Sequence, residues 1–113
     1  MNQQERLAAA ETVVEEVLRE LPEELRQAAR ECLLILDEAE GDFLGLFEGA
    51  SRLQSAPSDP EDVPRITLYL TSLWDFAHQH PATYRREVRV TYLHELGHYL
   101  GWEEDDLEAR GLG

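Results

Sequence analysis

Apolar residues recur through residues 3–20 at helical spacing: Leu7, Ala10, Val13, Val14, Val17 and Leu18, with Leu21 just beyond and Glu and Arg on the opposite side. The spacing predicts an amphipathic helix packed against a core. Pro22 stops that helix and suits the first position of a second one, with Glu23 and Glu24 in its first turn. Leu25, Ala28 and Ala29 form the expected buried side of this second helix, which should fade near Arg30. Cys32-Leu33-Leu34-Ile35-Leu36-Asp37 is a nearly unbroken apolar run, the pattern of a strand covered on both faces. A helix continuing from Arg30 is the competing reading of that run.

The polar stretch Glu38 to Asp42 predicts a turn, and Phe43-Leu44-Gly45-Leu46-Phe47 a second short strand ended by Glu48-Gly49. Ala50 to Pro64, rich in Ser, Pro and Asp, reads as a long surface loop. Arg65-Ile66-Thr67-Leu68-Tyr69-Leu70 alternates polar and apolar residues over good strand formers, the clearest strand signal in the chain. Thr71-Ser72 offers an N-cap for a short helical turn through Leu73, Trp74 and Phe76, broken by His78-Gln79-His80-Pro81. A long helix should follow from about Ala82 to Leu100, with Gly101 as the residue that closes it, and the acidic tail from Glu103 to Arg110 should add a final turn or two.

Mapped at about 100° per residue, the long helix has one polar stripe. Glu87, Thr91, His94, Glu95 and His98 share it, while Val88, Val90, Tyr92, Leu93, Leu96, Gly97, Tyr99 and Leu100 fill most of the remaining circumference. A helix apolar nearly all round is buried, so its histidines must face a cleft or find buried partners. Glu87 could serve such a partner role, holding a histidine ring or a neighbouring arginine. Gly97, between the histidines, would let another backbone segment approach closely. His78 and His80 read as a polar loop, and Tyr69, Tyr92 and Tyr99 as core residues rather than as partners for an oxyanion.

Composition narrows the function classes. The chain has 113 residues, 42% of them hydrophobic, which fits one globular domain over residues 1–113. Its 24 acids against 10 bases give a net charge of −14. Nucleic acid and anionic membrane surfaces need clustered Lys and Arg and are not expected partners. No apolar run approaches the length of a membrane span, and the N-terminus lacks the basic-then-apolar order of a signal peptide, so a cytoplasmic location is expected. The single Cys32 reads as a buried thiol. Nothing in the composition speaks to oligomeric state.

The chemistry concentrates in Thr91-Tyr92-Leu93-His94-Glu95-Leu96-Gly97-His98-Tyr99-Leu100-Gly101, which contains H-E-x-x-H. Two histidines four residues apart project from one face of a helix, close enough to hold one cation, and imidazole suits zinc at about 2.0–2.1 Å. Glu95 sits about 100° round from His94, outside the ligand pair but placed to reach a water at the metal. A catalytic zinc takes three protein ligands. The candidates for the third are Glu103, Glu104, Asp105 and Asp106 past Gly101, or an acid from earlier in the chain.

The sequence from His94 reads H-E-x-x-H-x-x-G-x-x-E, with Gly101 and Glu104 in the last two marked places. This resembles the zincin metallopeptidases, in particular the metzincin layout H-E-x-x-H-x-x-G-x-x-H/D. Leu21-Pro22-Glu23-Glu24-Leu25, Leu44-Gly45-Leu46-Phe47-Glu48-Gly49 and Arg65-Ile66-Thr67-Leu68-Tyr69 are similar to a small bacterial family of minimal zincin-like metallopeptidases with a matrix-metalloprotease-like domain. The resemblance implies an α+β fold, a small mixed sheet packed on the buried motif helix with two N-terminal helices. It implies zinc bound by His94, His98 and Glu104, with Glu95 as general base, and a peptide or protein substrate lying along an edge strand formed by Ile66 to Leu70. The sequence departs from the metzincin layout in carrying Glu at position 104 and in having Met1 as its only methionine, so the methionine turn is absent. A catalytically weak or inactive module that binds metal or peptide is the alternative expectation.

Overall fold

The structure, a computed structural model, describes residues 1–52 and 62–110, the side chain of Glu104 excepted. Most of the Ser- and Pro-rich loop expected at Ala50 to Pro64 therefore lies outside the described residues. Helix α1 spans Gln3–Glu20 and is opened by a capping box in which Asn2 and Glu5 exchange side-chain and backbone bonds. Its Ala9, Ala10, Val13, Val14 and Val17 are buried. Helix α2, Glu23–Glu31, starts one residue later than expected, with Pro22 as its N-cap. Arg26 ties the two helices together by donating to the carbonyls of Leu18, Arg19 and Leu21, which α1 leaves without helical partners.

Strands β1 (Leu33–Asp37), β2 (Gly45–Glu48) and β3 (Arg65–Tyr69) form a mixed sheet in the order β1-β3-β2. β1 runs parallel to β3 with Leu34 opposite Ile66, and β2 runs antiparallel with Phe47 opposite Ile66. Two expectations fail here. β3 is the central strand, with Ile66 and Leu68 fully buried, so it cannot be the edge that borders a cleft; β2 is that edge. Nor is the apolar run of β1 covered on both faces: Leu33 is 58% and Ile35 41% exposed. An unbroken apolar run marks a strand, but it does not say whether neighbours exist on both sides.

The chain passes from β3 straight into helix α3, Leu70–Phe76, with Tyr69 as N-cap. Thr71 and Ser72 are thus inside the helix rather than capping it. Their hydroxyls bond the carbonyls of Glu38 and Gly41, pinning the turn that leads into β2. His78 and Gln79 take positive φ angles of 54° and 58° and reverse the chain. His80 then caps helix α4, Pro81–Tyr99, by accepting the Thr83 N–H. Tyr84, Val88, Tyr92, Leu93, Leu96 and Tyr99 of α4 are buried against α1, α3 and the sheet. Gly101, at φ 77°, ends the helix: its N–H bonds the His98 carbonyl at 3.0 Å and the Trp102 N–H bonds that of Gly97 at 2.9 Å. Helix α5, Glu104–Ala109, follows at once. Among the described residues no helix is long and apolar enough to cross a membrane.

Candidate metal centre

The motif occupies the last third of α4, where the helix passes beneath strand β2. Gly45, the first residue of β2, fixes that passage. A Cβ there would lie 2.5 Å from Cγ2 of Thr91 and 3.3 Å from Cγ of Glu95, so only glycine lets the strand sit on the polar stripe of the helix. The role of Gly45 is legible in the sequence only as a glycine inside a strand pattern, which signals close approach without naming the partner.

The stripe itself faces a cleft of about 450 Å³ whose wall includes Glu87, Thr91, His94, Glu95 and His98 from α4. Phe43, Leu44, Gly45 and Leu46 form the opposite side, and Phe76 from the end of α3 and Val90 from α4 complete it. The His94 and His98 rings stand edge to face with centroids 4.6 Å apart, as the four-residue spacing dictates. Glu95 is 7% exposed, and its Oε1 lies 3.9 Å from Nε2 of the exposed His98. One ligand atom from each of His94, Glu95 and His98 falls within 4.8 Å of the others. The angular map put Glu95 outside the ligand set; its flexible side chain brings a carboxylate oxygen within that distance of both histidines. Three such donors can hold a metal ion, and imidazole with carboxylate is a donor set zinc accepts.

Of the other sequence candidates, the structure brings Glu87 to the cleft and leaves His78, His80, Tyr69, Tyr92 and Tyr99 away from its wall. Tyr92 and Tyr99 are core residues, and Tyr99 donates its hydroxyl to Glu31 Oε1. Burial pushes the phenols of Tyr84, Tyr92 and Tyr99 up to about 12. Burial, with the adjacent Glu31 carboxylate, also pushes the half-buried Cys32 thiol up to about 12, which keeps it protonated and unreactive. Gly97 admits a side chain rather than a backbone segment: Leu107 of α5, fully buried, fills the space a Cβ would take.

Past Gly101 the acids divide. Asp106 accepts the Glu103 N–H at 3.1 Å and faces Arg110 at 3.8 Å, which ties it to the start and end of α5. Asp105 is exposed. Glu104 begins the helix, and its side chain lies outside the described residues.

No curated protein matches the chain. A family model described as zincin-like metallopeptidase matches residues 26–113, which takes in the sheet, α3, α4 and α5 but not α1. The similarity noted at Leu21 to Leu25 lies outside the matched stretch. A mixed sheet over a buried helix, two histidines and a glutamate turned to one cleft, and a match over most of the sequence agree with one another. On these grounds the chain belongs to the zincin-like metallopeptidase family.

Proposed function

We propose that the protein is a zinc-dependent metallopeptidase that hydrolyses peptide bonds with Glu95 as general base. The observation that carries this reading is the convergence of the His94, Glu95 and His98 donor atoms within 4.8 Å on the wall of an open cleft. His94 and His98 are assigned as metal ligands, with Glu104, at the start of α5, as the third. Zinc held there would polarise a substrate carbonyl and lower the pKa of a water at the site toward about 7.

The chain's own residues supply the rest. The Glu95 carboxylate takes the proton of the attacking water and passes it to the leaving nitrogen. Its Oε1 lies 3.9 Å from Nε2 of His98, which puts that carboxylate beside the assigned ligands. β2 is the edge of the sheet and overhangs the cleft, so an extended peptide can add to it through main-chain hydrogen bonds.

A second reading, a scaffold that binds metal or peptide without turnover, draws support from the lining. Among the described residues around the cleft, Thr91 carries the only hydroxyl and there is no Tyr or Arg. Stabilising a tetrahedral oxyanion calls for preorganised donors. Two measurements separate the readings: zinc titration of the purified protein, and incubation of the zinc-loaded protein with a diverse peptide library. The Glu95→Gln variant should bind zinc as the parent does and lose at least about 10²-fold in hydrolysis. A zinc-loaded parent that cleaves no member of the library would sink the peptidase reading.

A further inference from the structure

Three large apolar side chains that remain exposed converge on the cleft from three different elements. Phe43, 60% exposed, comes from the turn before β2; Phe76, 56% exposed, from the end of α3; and Val90 from α4, one turn before His94. Isolated exposed apolar residues need no explanation, but a group of them lining one concave site marks a surface that a ligand covers.

Among the described residues, the same wall carries one charged side chain besides the His94, Glu95 and His98 group, and it is Glu87. Glu87 forms no hydrogen bond or ion pair among the described residues. It precedes His94 by seven residues, two turns of one helix face, which places it roughly 10 Å along the axis from the histidine. Among the described residues no arginine lines the cleft, and the protein as a whole carries a net charge of −14.

We propose that the cleft selects peptides with an arginine or lysine beside the scissile bond, the stem lying on Phe43, Phe76 and Val90 and the charged head on Glu87. The location of the scissile bond rests on the peptidase reading above; the recognition chemistry does not. Long basic side chains bury their methylene stems on apolar surface while presenting the charge at the far end. Aromatic faces such as those of Phe43 and Phe76 attract the cation itself. A leucine or phenylalanine in the same place would dry the wall around Glu87 and leave the carboxylate without a partner, at a cost in desolvation. The acidic surface favours approach of the basic peptide for the same reason of sign.

The test uses fluorogenic peptides identical except for Arg, Lys or Leu at the positions flanking one bond. Cleavage by the zinc-loaded protein and binding to zinc-loaded Glu95→Gln, which cannot turn substrate over, are both measured. The expected preference for Arg over Leu is about tenfold, appropriate to a charge-assisted hydrogen bond in a partly solvated cleft. Glu87→Gln should bring the ratio to near one. Glu11→Gln, an exposed position on α1, removes the same charge from the protein and should leave the ratio as it was. A Leu preference, or an Arg preference that survives Glu87→Gln, overturns the proposal. If nothing is cleaved but binding shows a Glu87-dependent Arg preference, the proposal stands and the peptidase reading falls. If peptides are neither bound nor cleaved, both are wrong.

Discussion

The side chain of Leu107 occupies the space beside Gly97, which lies between the two histidines of the motif, so α5 is seated directly on the motif turn of α4. Leu107 is fully buried, and among the described residues of α5 it alone is buried. This contact fixes where the backbone of α5 lies relative to the motif turn. Leu107→Ala should cost about 2–5 kcal/mol, as for other buried leucines. Gly97→Ala should cost about 1–3 kcal/mol through overpacking, despite the better helix propensity of alanine. The double variant should lose less than the sum, because the added methyl sits where the isobutyl group was removed. Thermal unfolding of the metal-free proteins measures all three, and additive losses would contradict the contact.

Metal binding should be visible in stability before any substrate is known. At a free zinc concentration 100 times its dissociation constant, the folded state should gain about 2.7 kcal/mol, and a chelator should reverse the shift. His98→Ala should abolish the gain. Zinc bound no more weakly by that variant than by the parent would remove His98 from the ligand set.

The third ligand separates by paired substitutions. Glu104→Ala should weaken zinc binding by at least about 10-fold, while Asp105→Ala, at an exposed position, should change it little. A loss confined to Asp105→Ala would transfer the assignment. Zinc titration under identical buffer and pH reads the difference.

Gly45 is the position where the sheet meets the motif helix. Gly45→Val should be strongly destabilising, since its side chain would run into Thr91 and Glu95 and push β2 off α4. The milder Gly45→Ala should lower thermal stability, because its Cβ would lie 2.5 Å from Cγ2 of Thr91 on the buried face of α4. Unchanged melting in Gly45→Ala would mean that β2 does not lie where the structure has it.

Alkaline pH should weaken the fold in a defined window. Cys32 and Tyr84, Tyr92 and Tyr99 all have folded-state pKa values raised to about 12, from ordinary values of 9.0 for the thiol and 10.0 for the phenols. Unfolded chains release these protons first, so between about pH 9 and 12 the folded state binds more of them and stability falls as pH rises. Below about pH 9 these four groups impose no slope. Denaturant melts across that range, with tyrosinate absorbance followed in parallel, check the sign; phenols that ionise near 10 in the folded protein would contradict it.

The zincin-like family was legible from one stretch, His94 to Gly101, because its chemistry is local. Ligand spacing, helix phase and the closing glycine all lie within two or three turns. The bounds of α1 and α4 were equally legible, since a 3.6-residue apolar period and capping residues act over neighbouring positions. Tertiary structure decided what depends on distant partners. The apolar run of β1 gave no sign that Leu33 and Ile35 face solvent, and the alternation in β3 did not say that it pairs on both sides. Strand order comes from non-local pairing, which no short-range pattern encodes. The same holds for the glycines: Gly45 and Gly97 read only as small residues until β2 and Leu107 are laid against them. The sequence by itself determined the histidine pair and the helix that carries it, and the packing of β2, the turn before it and α3 against that helix determined the cleft.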